Sequence, residues 1–120
     1  MSRSVLLVEP DLDALAALAA TLRSRGLNVA LADSASGLLD RLRSLVPDAV
    51  LISDALSDAI DVASRVSADR SLSNVTCFVL VDVEPDRGAD VPHLFRDDVD
   101  LIVNRLYALP SRPPPTVAHI

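Results

Sequence analysis

Residues 47–58 read Pro47-Asp48-Ala49-Val50-Leu51-Ile52-Ser53-Asp54-Ala55-Leu56-Ser57-Asp58. A proline and an aspartate open the stretch, four apolar residues follow without a polar break, and Ser53-Asp54 closes it. A strand with one wet face alternates apolar and polar side chains, whereas a continuous run signals a strand covered on both faces. Comparable runs stand at Val5-Leu6-Leu7-Val8, Val29-Ala30-Leu31-Ala32, Cys77-Phe78-Val79-Leu80-Val81 and Leu101-Ile102-Val103. Five strands at fairly even intervals are therefore expected.

Helical patterns fill the gaps. From Leu12 to Arg25, Leu15, Leu18, Ala19 and Leu22 fall at i, i+3, i+4 and i+7, with Asp11 placed to cap the start and Gly26 to end the helix in a left-handed residue. From Ala35 to Leu45 the stripe is Leu38, Leu39, Leu42 and Leu45, with Ser34 as the cap and Pro47 as the breaker. Asp58 precedes a shorter stripe of Ile60, Ala63 and Val66 that closes in the polar run from Ser67 to Asn74. Residues 84–98 read as a loop in which Val91, Leu94 and Phe95 offer a face for a short helix. Alternating strands and helices with long crossovers predict an α/β, doubly wound, parallel five-stranded sheet. One domain over residues 1–109 is followed by a Pro-rich tail or linker, PSRPPPTVAHI, over 110–120.

The 120 residues carry a formal charge of −6, from 11 basic residues, all Arg, against 17 acidic ones, and the aromatic content is 2%. Scattered Arg among more numerous Asp argues against a nucleic-acid surface, and no aromatic platform exists for single strands. The lone Cys77 sits inside an apolar run, so it reads as a small core residue; neither His93 nor His119 has neighbours of metal-ligand spacing. Val5 to Val8 is too short for a signal peptide, and no run approaches a membrane span, so a cytoplasmic protein with no membrane partner is expected. The three glycines, Gly26, Gly37 and Gly88, stand singly, so no phosphate-cradling loop supports an enzyme on this fold.

In such sheets, chemistry sits beyond the carboxyl ends of the strands. The first strand ends in Glu9-Pro10-Asp11, the third in Ser53-Asp54 with Asp58 shortly after, the fourth in Val81-Asp82, and the fifth in Asn104-Arg105. Carboxylates gathered there suit a hard cation such as Mg²⁺, an Arg suits a phosphoryl group, and together they point to phosphoryl transfer to a carboxylate.

At these positions, residues 3–107 resemble the receiver domain of bacterial two-component response regulators. VLLVEPD resembles the family's first strand and acidic pair, GLNVALADSASGLLDRL its second strand and helix, PDAVLISDALSD its third strand with the phosphoacceptor, and VDLIVNRLY its fifth strand with a lysine and a proline. The resemblance implies the flavodoxin-like strand order 2-1-3-4-5. It also exposes departures. Pro10 replaces the second acidic residue, a direct Mg²⁺ ligand in the family. Counting from Pro47-Asp48, the phosphoacceptor position falls on Ser53; the rival register, with a loop shorter by one residue, makes Asp54 the acceptor. Val81 holds the switch position, where the family has Thr or Ser, and Arg105 aligns with the lysine.

The resemblance with these departures implies a degenerate receiver: a noncatalytic, receiver-like signalling module, not an enzyme and without a cofactor, acting through protein–protein contacts. Glu9, Asp11 and Asp54 are then the remnant of an acidic pocket. The alternative is a phosphorylatable receiver using Asp54, with Glu9, Asp11 and Asp54 holding Mg²⁺ and Arg105 pairing with the phosphate. If Leu101 to Val103 is the fifth strand, Pro110 follows too soon for a final helix, and the face left bare invites a protein partner or a second copy. A competing assignment places one helix over 96–109, because Phe95, Val99, Ile102, Val103, Leu106 and Leu109 form a helical stripe, and then that strand is lost.

Overall fold

The computed structural model describes residues 3–82 and 92–109. Its strands are β1 (Ser4–Val8), β2 (Asn28–Ala32), β3 (Ala49–Ser53), β4 (Thr76–Val81) and β5 (His93–Phe95), and its helices are α1 (Leu12–Ser24), α2 (Leu38–Leu45), α3 (Ala59–Ala68) and α4 (Val99–Tyr107). The five strands form one parallel sheet in the order β2-β1-β3-β4-β5. The doubly wound class and the strand order are as expected.

The two-sided burial inferred for the apolar runs sets the layers. Leu6, Val8, Val50, Ile52, Val79 and Val81 face α2 and α3, while Val5, Leu7, Leu51, Phe78 and Leu80 face α1 and α4. β3, paired on both sides, is buried along its whole length. Cys77 is buried, and its surroundings push the thiol up to about 12 by desolvation. Asp11 caps α1 by accepting from the Asp13 and Ala14 amides at 3.0 and 3.2 Å. Gly26 follows α1 at φ 88°, a left-handed conformation that a side chain disfavours. The second helix starts later than expected. Gly37, at φ 67°, holds the turn, and α2 begins at Leu38 rather than Ala35; Ser34 instead accepts from the Ser36 amide in a local turn.

The C-terminal third corrects the expected assignment. Leu101-Ile102-Val103 lies within α4 and is not a strand, because Asp98 caps the helix through the Leu101 amide and Ile102, Val103 and Leu106 are buried on one stripe. The competing helix is present in shorter form, Val99–Tyr107 rather than 96–109, but a fifth strand is not lost with it: His93–Phe95 supplies that strand from a stretch read as loop or short helix. The last helix is therefore not missing. α4 covers the sheet beside α1, so the face expected to be bare, and with it the expected docking site for a partner or second copy, is occupied by the chain itself. Three contacts fasten it: Tyr107 donates to the Arg25 carbonyl at 2.9 Å, Arg3 to the Leu109 carbonyl at 2.7 Å, and Arg25 pairs with Asp100.

The expected tail 110–120, with His119, and residues 84–91 of the expected loop lie outside the described residues. Among the described residues, no helix is long and apolar enough to cross a membrane.

Candidate functional site

A parallel sheet brings the carboxyl ends of its strands to one side, and here the residue that follows each strand is charged, with Ser53 closing β3. Glu9 follows β1 directly, its amide bonded to the Ala32 carbonyl of β2. Ser53 closes β3 opposite Leu80, and the Asp54 amide donates to the Leu80 carbonyl at 3.0 Å. Asp82 follows β4, and Arg96 follows β5 with its amide bonded to the Val81 carbonyl at 2.8 Å.

The Arg96 side chain turns back across these ends. Its Nη2 donates to Ser53 Oγ at 2.8 Å and to Asp54 Oδ1 at 3.0 Å, and approaches the Leu80 carbonyl at 3.5 Å. Its Nη1 lies 3.4 Å from Asp82 Oδ2 and 3.8 Å from Glu9 Oε1. One guanidinium thus meets three carboxylates and a hydroxyl from the ends of three other strands. Glu9 and Ser53 are the only charged or polar side chains in the buried core of the described residues. Glu9 Oε2 and Arg96 Nε are both buried and form no hydrogen bond. Asp54 and Asp82 reach solvent, with side chains 41% and 62% exposed.

The site joins some of the expected residues and separates others. Glu9, Ser53 and Asp54 come together. Asp11 does not join them, since its carboxylate is engaged at the start of α1. Arg105 is also elsewhere: with α4 a helix, it falls in the last exposed turn, toward the end of the sheet where β1 begins. This corrects its assignment as the phosphate-pairing residue. Val81 is buried in the apolar layer against α2 and α3. Its methyl groups offer no hydrogen bond, and only its carbonyl takes part, through Arg96.

Sequence reading missed Arg96. The signal was the stripe from Phe95 to Leu109: once that is a helix capped by Asp98, the apolar residues ahead of it must be the strand, and Arg96 the residue that leaves it.

Chemically, the cluster is a neutralising one. Ser53 accepts from Arg96 and from the Ala55 amide at 3.1 Å, and its hydroxyl donates to no carboxylate or imidazole among the described residues, so no base activates it. A divalent cation fits poorly: a guanidinium already faces Glu9, Asp54 and Asp82, and the described residues bring no three His, Cys, Asp or Glu side chains to metal-binding distance. Close approach of a second cation would meet the repulsion of the first.

No protein-family model matches the sequence, and no curated protein matches it. Solved structures do. A CheY-like response-regulator receiver domain from Methylobacillus flagellatus is similar with a TM-score of 0.79 and 17% identity, covering 92% of this chain and 100% of that one. The receiver domain of a sensor histidine kinase from Pseudomonas aeruginosa PAO1, solved with a magnesium ion in its active-site cleft, gives 0.72 and 22%, covering 88% and 98%. The signal receiver domain of a DNA-binding response regulator from Colwellia psychrerythraea 34H gives 0.74 and 16%, covering 88% and 96%. The fold is that of receiver domains.

Proposed function

We propose that this chain is a receiver-like signalling module that works through protein–protein contacts and without aspartyl phosphorylation. The carrying observation is Arg96, whose guanidinium spans the acidic end of the sheet and bonds to Ser53 at the close of β3. The similar Pseudomonas receiver domain holds a magnesium ion in its cleft; in this chain an arginine supplies positive charge at the acidic end. Ser53 lacks the carboxylate an acyl phosphate needs, and Val81 offers no hydroxyl for a phosphoryl oxygen. Fold likeness alone fixes no activity, so the reading rests on these residues.

A second reading rests on Asp54, which is part exposed and lies 3.0 Å from Arg96, a cation able to pair with a phosphoryl group. One experiment separates the two. Amide NMR spectra recorded with millimolar Mg²⁺ and then beryllofluoride should show no saturable shifts at Glu9, Ser53, Asp54, Asp82 or Arg96. Incubation with acetyl phosphate should leave the intact mass unchanged. Saturable shifts centred on Asp54, or a phosphoryl adduct that Asp54→Asn abolishes, would replace the first reading with the second.

A further inference from the structure

Among the described residues, Glu9 is the one buried side chain that carries a carboxylate. Its side chain is 6% exposed, and Oε2 is buried without a hydrogen bond. A carboxylate in that setting needs a compensating charge close by, because desolvation otherwise opposes the ionised form. Asp54 and Asp82 add two further negative charges beside it. Arg96 reaches all three, at 3.8, 3.0 and 3.4 Å, from a side chain that is 21% exposed.

We infer that Arg96 is a built-in counter-ion: a cation carried on the chain that holds the ends of β1, β3, β4 and β5 together, so that the acidic site needs no divalent metal for its integrity. This rests on the reading of the site as one that does not bind Mg²⁺ for phosphorylation. The geometry favours a guanidinium over a compact ammonium, because two of its nitrogens serve different partners: Nη2 takes Ser53 and Asp54, Nη1 takes Asp82 and Glu9. Truncation of this side chain would leave a polar vacancy beside the buried carboxylate, a fit for a small soluble guanidinium ion.

The test is thermal unfolding of the full chain at constant ionic strength, with and without Mg²⁺ or methylguanidinium. Wild type should be indifferent to millimolar amounts of either ion. Arg96→Ala should lower the Tm by about 5 °C or more, and methylguanidinium should restore part of that loss saturably. Arg96→Lys should lie between the two. Glu9→Gln in the Arg96→Ala background should recover stability, since the uncompensated charge is then gone.

A saturable rise in the wild-type Tm with Mg²⁺ would overturn the inference. So would an Arg96→Ala protein as stable as wild type, or one that neither methylguanidinium nor Glu9→Gln improves. If Arg96→Ala does not fold, Arg96→Lys and the wild-type Mg²⁺ titration decide: a Lys variant no better than the alanine one counts against a charge role. A phosphoryl adduct on Asp54 in a wild type otherwise indifferent to Mg²⁺ would overturn the functional reading alone.

Discussion

Arg96 Nη2 lies 2.8 Å from Ser53 Oγ, a bond that ties the residue after β5 to the last residue of β3 across the intervening β4. It accounts for two features at once. Ser53 is fully buried, and a buried hydroxyl is tolerated only when it is hydrogen-bonded; here it accepts from Arg96 and from the Ala55 amide. β5 is only three residues long and sits at the sheet edge, with one strand neighbour. The Arg96 amide on Val81 and its side chain on Ser53 extend that edge strand's attachment beyond its ladder.

Ser53→Ala removes the acceptor from two donors in a buried place. The loss should be about 1–3 kcal/mol of unfolding free energy, the usual penalty for an orphaned buried polar group, measured by urea denaturation. Ser53→Thr keeps the hydroxyl and adds a methyl to a packed position. It should recover less than the full loss, because overpacking opposes the restored bond.

The last helix gives a paired prediction. Leu106 is fully buried against the sheet, whereas Arg105, its neighbour, is exposed. Leu106→Ala should cost about 2–5 kcal/mol as a core truncation. Arg105→Ala should stay within about 0.5 kcal/mol, as for a surface substitution. Equal effects at the two positions would contradict the helical placement, which puts one inside and the other out.

These two neighbours also show what the sequence revealed and where it stopped. β1, β3 and β4 announced themselves as apolar runs because each is buried on both faces; β2, at the edge opposite β5, kept an apolar run although it is only half-buried. α1 to α3 followed from their stripes, but Leu45 and Ile60, counted in those stripes, are exposed, and α3 buries Ala59 and Val62 alongside Ala63 and Val66. β5 gave no such signal: of its three residues only Leu94 is buried, so an edge strand this short has no periodicity to read. Leu101-Ile102-Val103 imitated a strand through its β-branched residues, although α4 buries Ile102 and Val103 on a helical face. The site inherited this split. Glu9, Ser53 and Asp54 were legible because they close recognisable runs, while Arg96 depends on a strand that was not, and Arg105 was put in its place.

Val46 is the one described residue other than glycine with a left-handed backbone, at φ 44° and ψ 61°, just past the end of α2. A β-branched side chain is strained there, and Gly is the usual residue at a helix C-terminus of this kind. Val46→Gly should raise stability by about 0.5–1 kcal/mol, the relief of left-handed strain less the added entropy of the unfolded chain. Val46→Ile, which keeps the branch, should bring no such gain. Chemical denaturation of the two variants side by side distinguishes backbone relief from a change in side-chain contacts.

Cys77 supplies the pH prediction. Burial in β4 pushes its thiol up to about 12 from an ordinary value of 9.0. Below the ordinary value the thiol is protonated in folded and unfolded chains alike, and the stability it contributes is complete. Between that value and about 12 the unfolded chain loses its proton first, so this contribution falls as pH rises. At neutral pH the consequence is kinetic: thiolate is the reactive form, and the folded protein holds almost none. Labelling with a thiol reagent at pH 8 should therefore be slow and should track unfolding, accelerating with urea as the native fraction falls. Rapid labelling of a fully folded sample would mean that Cys77 is reached without opening the sheet, contrary to its place on β4 beneath the α2–α3 layer.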